Sequence, residues 1–241
     1  MTVQQFHREF KIALDKVDSE SYPEFLPGEI DYYLNEAQDR FIKQRYGLNN
    51  IYKAGYEEIQ KRTDDLKELV KTTYVEILPV DYYISANNNV FRANLQNLFL
   101  DYQLTNPSSD EYMLFVKATT QTCVNNCCNW SKVKLVQQDD LSGLMEDPFN
   151  RPTLSKPIIF FEDGDIFIWT EKTATINGFL VTFIKMPNQI NIGTYGGPVI
   201  ECELSDHTHR EILQMAVSIA LENIESPRQQ SQEILNVQKV E

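Results

Sequence analysis

With 241 residues, 42% hydrophobic and 11% aromatic, the chain is long enough to bury a core as one large domain or two small ones, and its 24% charge excludes a disordered or fibrous protein. Thirty-five acids against 22 bases leave a formal charge of −13, with no basic block to offset it, so a surface that grips nucleic acid is not expected. No uncharged apolar run reaches the roughly 18 residues of a membrane span, and MTVQQFHREFKIALDKV has no signal-peptide centre, so no membrane contact and cytosolic folding are expected.

Thr2 and Gln5 have the spacing of a capping box, and Val3, Phe6, Phe10, Ala13, Leu14 and Val17 then recur at helical intervals. Pro27 and Gly28, followed by Glu29 and Asp31, start a second helix whose stripe is Ile30, Tyr33, Leu34, Ala37 and Phe41 and whose stop is Gly47. Tyr52, Tyr56, Ile59, Leu66, Leu69 and Val70 fit a third, which makes the first 72 residues helical. From TTYVEILPVDYY to Glu201 the residues are those of strands and turns. EYMLFVKATT and KVKLVQ alternate as half-buried strands. Asp163-Gly164 and Asn177-Gly178 predict two hairpin turns joining three consecutive antiparallel strands. Between these groups lies LSGLMEDPFNRPTLSKP, whose Pro148, Pro152 and Pro157 forbid a regular ladder and predict a long surface excursion. A last helix, capped by Ser205 or by Thr208 with Glu211, should end near Glu225 because Ser226 precedes Pro227. RQQSQEILNVQKVE reads as a polar tail that orders only against a partner.

Two of the three histidines, His207 and His209, flank Thr208 and stand near Glu211, a grouping that raises the question of a metal or catalytic site. Residues two apart on a helix diverge by about 200°, so these rings cannot serve one metal from one face. His209 falls in register with Ile212, Leu213, Ala216, Ile219 and Ala220 at the core's edge, and His207 with the polar side. Three of the four cysteines stand in CVNNCC, a spacing unlike a zinc knuckle, and are expected to be reduced thiols rather than ligands. G-x-S-x-G, H-E-x-x-H, G-x-x-x-x-G-K and G-x-G-x-x-G are all absent, and paired acids such as Asp139/Asp140 and Asp163/Asp165 suit turns and wet faces. No catalytic residue, cofactor or metal is expected. The competing readings are a metal-dependent hydrolase using Cys123, Cys127, Cys128 and a histidine, and an acidic soluble binding module.

FLPGEIDYYLNEAQDRFIKQRYG, DPFNRPTLSKP and ECELSDHTHREILQMAVSIALENIESPR, in that order, resemble segments of the structural proteins of crAss-like and related Bacteroides phages, and more remotely the adaptor or tail tubular ring proteins of short-tailed phages. That resemblance implies a virion structural protein of the neck or tail, held in the host cytoplasm before assembly. It implies a head-to-tail connector ring, twelvefold like a portal, that touches the portal and neighbouring ring or tail proteins while DNA passes through its lumen without specific binding.

A closed ring needs heterologous contacts, one patch of each copy meeting a different patch of the next. The proline-rich excursion supplies candidates in Asp147, Phe149, Arg151 and Pro152, with Phe149 as apolar anchor and Arg151 as charge partner at its rim. Ile234, Leu235 and Val237 of the tail are the second set. The expected fold is α+β: a helical bundle from the N-terminal and C-terminal helices with a mainly antiparallel β region inserted between them. The expected divisions are a helical segment over residues 1–72, a β-rich region over 73–203, a C-terminal helix over 204–226 packing back on the helical segment, and a polar tail over 227–241.

Overall fold

The computed structural model describes residues 1–17, 25–47, 60–75, 77, 82–84, 88–94, 112–125, 127–162, 165–193 and 197–223. They form two compact units, one from 1–69 and 187–241, the other from 70–186. The class is α+β, with helices toward both ends and the sheets between them.

The first unit contains α1 (Val3–Val17), α2 (Pro27–Tyr46) and α3 (Gln60–Leu66), together with the last helix among the described residues. The Thr2–Gln5 capping box is present in both directions: the Thr2 amide donates to Gln5 Oε1 at 3.0 Å and the Gln5 amide to Thr2 Oγ1 at 3.3 Å. Val3, Phe6, His7, Phe10 and Leu14 form the buried stripe of α1. α2 begins at Pro27, as expected, and the Leu26 amide donates to Glu29 Oε2 at 2.8 Å. It stops at Gly47, but this glycine has a φ of −69° and needs no left-handed conformation to end the helix.

Two predicted features differ in this region. α3 ends at Leu66, a 3-10 turn follows over Lys67–Leu69, and Val70 already belongs to a strand, because the β-branched run Val70–Val75 finds a partner strand. Tyr52, Tyr56 and Ile59 lie outside the described residues. The last helix opens with a 3-10 turn, Asp206–Thr208, and becomes α-helical from His209 to Asn223. No side-chain cap is made by Ser205; the Thr208 hydroxyl instead donates to the Ser205 carbonyl at 2.8 Å.

Among its described residues the second unit holds two sheets. β1 (Val70–Val75), β9 (Thr175–Lys185), β4 (Tyr112–Val124) and β5 (Cys127–Lys132) form an antiparallel sheet in that order. β2 (Tyr82–Ile84), β3 (Asn88–Asn94), β8 (Asp165–Glu171), β7 (Ile158–Glu162) and β6 (Lys134–Leu135) form the other, antiparallel except for β6–β7. Inward residues of both sheets, among them Phe91, Phe115, Ile159, Ile166, Ile168, Phe179 and Phe183, make one apolar core. Burying such side chains contributes about 1.5–3 kcal/mol each.

β7 and β8 pair with Glu162 opposite Asp165, so the expected first hairpin is present, although Asp163 and Gly164 themselves lie outside the described residues. The second expected turn is not one. Asn177 and Gly178 lie inside β9, where the register against β4 slips from Gln121↔Gly178 to Thr122↔Ile176, leaving Asn177 as the extra residue of a bulge. The chain turns earlier, at Lys172–Thr173, with the Ala174 amide donating to the Glu171 carbonyl at 3.0 Å. β9 thereby leaves the sheet of β7 and β8 and joins the other one, so the three strands are not a meander. The stretch 141–157 is also more ordered than expected, since α4 (Gln138–Glu146) occupies its beginning.

In the first unit a short ribbon, β10 (Asn191–Ile192) with β11 (Val199–Ile200), precedes the last described helix, α5 (His209–Asn223). α2 fastens the chain leading into it. Asn35 donates to the Ile190 carbonyl at 3.0 Å and accepts from the Ile190 amide at 2.7 Å, Gln38 donates to the Asn188 carbonyl at 3.2 Å, and Asp31 accepts from the Ile192 amide at 3.2 Å. Residues 31, 35 and 38 share one helix face, so their side chains replace a strand as backbone partner. α5 buries Ile212, Leu213, Ala216, Val217, Ile219 and Ala220. No helix among the described residues is long and apolar enough to cross a membrane.

Candidate assembly surface

The proline-rich excursion starts from α4, whose first turn carries Asp139 and Asp140 where the helix dipole favours acids. The Asp147 amide closes the helix on the Gly143 carbonyl at 3.2 Å, and its carboxylate then turns forward. Oδ1 accepts the Phe149 amide at 2.9 Å, and Oδ2 accepts Asn150 Nδ2 at 2.6 Å. The Phe149 amide and the Asn150 side chain, in that order, hold this carboxyl below the usual carboxylate range. Phe149 is thus presented on a small hydrogen-bonded turn with 90% of its surface exposed.

Arg151 is exposed, and its amide donates to the Asp147 carbonyl at 3.0 Å. Pro152 is buried. Just beyond it the Leu154 carbonyl accepts two hydroxyls, Thr122 Oγ1 at 3.1 Å and Ser131 Oγ at 3.2 Å, which ties this half of the excursion to the sheet. The fold therefore brings Asp147, Phe149 and Arg151 together on one exposed turn and draws Pro152 inward. Ile234, Leu235 and Val237 lie outside the described residues. An open groove of about 530 Å³ runs beside the turn, lined by Leu135, Val136, Gly143, Leu144, Asp140 and Asp147 among others.

The outward face of the four-stranded sheet carries a feature that local sequence did not reveal. Tyr74 on β1 and Trp130 on β5 are each 52% exposed, yet their ring centroids are 6.3 Å apart at 62°. The strands between them permit this because a Cβ at Gly178 would stand 2.5 Å from the Tyr74 hydroxyl oxygen, so only glycine leaves room for the phenol. The NG dipeptide was a signal of the right place with the wrong geometry.

Each of the three histidines has a polar partner within the fold. His209 is buried, its Nε2 2.8 Å from the Leu204 carbonyl and its Nδ1 2.7 Å from the Met1 amino nitrogen; burial, foremost, pushes its pKa below the ordinary 6.5. His207, half exposed, places Nε2 2.8 Å from Asp65 Oδ1. His7 Nε2 lies 2.7 Å from Asp31 Oδ1. Asp65 and Glu211 also draw in Arg45, and Lys61 Nζ lies 3.6 Å from Glu211.

The cysteines correct the sequence-based expectation of free thiols. Cys123 and Cys128 stand directly opposite each other on β4 and β5 and form a disulfide, whereas Cys127 is an exposed thiol. Burial pushes the Cys202 thiol up to about 11. Among the described residues, no three His, Cys, Asp or Glu side chains are grouped to hold a metal ion.

Comparison with known proteins finds a match to the model of a family described as phage tail ring protein 3/4, over residues 1–232. Ring protein 4/5 of Bacteroides phage crAss001 is 24% identical over 238 residues, covering 91% of this chain and 92% of that protein. Ring protein 3 of the same phage is 24% identical over 199 residues, covering 78% of this chain and 81% of the relative.

Proposed function

This chain belongs to the phage tail ring protein 3/4 family, and from that premise we propose that its copies assemble into a ring of the head-to-tail connector or tail of a crAss-like phage. The observation that carries the proposal is the extent of the family match, which spans residues 1–232 and so takes in elements of both units rather than one motif. In this reading the ring extends the portal channel, follows the portal's twelvefold symmetry, and touches the portal and neighbouring ring or tail proteins. The protein waits in the host cytoplasm until assembly and ends in the virion. It is a building block and not an enzyme.

The exposed turn Asp147–Arg151 is the proposed contact with a neighbour, Phe149 being the anchor and Arg151 the rim charge. The tail residues Ile234, Leu235 and Val237 are proposed as a second contact. The formal charge of −13 per copy, repeated around a ring, suits a conduit that lets DNA slide past without holding it. A metal-dependent hydrolase is disfavoured because two of the three thiols it would need, Cys123 and Cys128, are bonded to each other.

The test is negative-stain imaging and mass photometry of the purified protein, alone and mixed with the portal complex of the phage that encodes it. Closed rings, or portals lengthened by a collar of about twelve copies, are expected. A chain that stays monomeric in both conditions overturns the proposal.

A further inference from the structure

The exposed face of the four-stranded sheet can be read from its register. One row runs Trp130, Gln121, Gly178 across β5, β4 and β9, and the next runs Lys132, Thr119, Leu180, Tyr74. Tyr74 leans over Gly178 toward Trp130, so two edge strands contribute rings to one patch. Lys132 stands beside it, and Lys117 one row further on, both exposed. Among the described residues of these rows there is no acid.

The same unit displays a counterpart of opposite character. Phe149 projects from its turn, and the segment leading to it carries Asp139, Asp140, Glu146 and Asp147 with no base before Arg151. We propose that Phe149 of one copy seats on the Tyr74–Trp130 platform of the next, with Lys132 and Lys117 facing the acids of α4. This rests on the ring reading above and names the surface that would receive its anchor. Knob and platform are different patches of one chain, so the contact can repeat head to tail around a ring without a twofold axis. Buried aromatic anchors supply the affinity of such contacts, and the opposed charges set orientation and association rate.

Single-stranded nucleic acid could in principle stack on the same rings. The geometry favours protein: rings inclined at 62° form a socket for one further ring rather than parallel steps for successive bases, and two lysines offer few phosphate contacts on a chain of formal charge −13.

The test uses the full chain in sedimentation velocity over a wide concentration range, with the portal complex added as template. Phe149→Ala and Trp130→Ala should each weaken copy-to-copy association by roughly thirtyfold, because each removes one half of a hot spot. An equimolar mixture of the two variants should regain wild-type contact strength yet stop at dimers, since one variant keeps only the platform and the other only the knob. Phe149 is almost fully exposed and Trp130 half exposed, so thermal melts are expected to change little. Lys132→Glu and Glu146→Lys should each weaken association and, combined in one chain, restore much of it. If wild type and both variants assemble alike, this contact is wrong while the ring reading stands. If Trp130→Ala loses a labelled single-stranded oligonucleotide but assembles normally, the platform serves nucleic acid instead. A wild-type chain that never associates, alone or on the portal, overturns both.

Discussion

Arg45 Nε lies 2.9 Å from Asp65 Oδ2, with the aspartate side chain 1% exposed and the arginine 10% exposed. The two atoms are close but not aligned as donor and acceptor, so attraction between the charges holds the approach. The guanidinium also bonds to Glu211 and lies 4.8 Å above the Phe41 ring, while His207 takes the other Asp65 oxygen. One arginine thus joins α2, α3 and α5.

Removing it leaves Asp65 buried, with only His207 for compensation among the described residues. Arg45→Met should cost about 3 kcal/mol, in the range for breaking one side of a buried pair. Urea unfolding followed by circular dichroism reads this directly. A change below about 0.5 kcal/mol would mean the cluster is solvated like a surface pair.

His209 gives the helical unit a pH dependence whose sign follows from its environment. Its folded pKa lies below 6.5 chiefly through burial, so the unfolded chain takes up the proton first as pH falls. Its contribution is intact above the unfolded pKa, declines below about 6.5 and levels off at the folded pKa. The melting temperature should fall from pH 7.5 to pH 5.5, and His209→Gln should flatten that slope. A parallel slope in the variant would assign the effect to other groups.

Cysteine chemistry separates the four thiol positions. Alkylation of the native protein at pH 8 without reductant should label Cys127 rapidly and Cys202 hardly at all, because a thiol pushed up to about 11 holds almost no thiolate there. Peptide mapping should find Cys123 linked to Cys128. Closing so short a loop contributes about 2 kcal/mol in the chain-entropy view. Reductant should therefore lower the melting temperature of wild type and leave Cys123→Ser/Cys128→Ser unaffected.

Gly178→Ala should displace the Tyr74 phenol, which is half exposed and free to swing outward. The expected loss is only about 1 kcal/mol, at the low end for an overpacked site. Tryptophan fluorescence should change as Trp130 loses its neighbour, and Tyr74→Ala in the same chain should recover the stability.

The local signals in the sequence were the ones that proved legible. Thr2 with Gln5, Pro27 before an acidic turn, and the divergence of His207 from His209 all depend on residues within one helical turn of each other. Asn177-Gly178 misled because the dipeptide reports only a need for small side chains, and the need here comes from Tyr74 on another strand. Cys123 and Cys128 pair only once the β4–β5 register is known. Arg45, Asp65 and Glu211 are contributed by three helices, and no spacing rule joins positions so distant. The surface position of Phe149 was legible from its setting among prolines; the Tyr74–Trp130 patch, assembled across four strands, was not.

The two units are completed at different times as the chain is made. The β unit lies within 70–186, whereas the helical unit needs α5 to close the core begun by α1 and α2. A ribosome moving from N- to C-terminus therefore releases folded sheets while the helical core still lacks a wall. A chain cut short before α5 keeps an unfinished helical unit, and an unfilled core of that kind is the state that proteases act on.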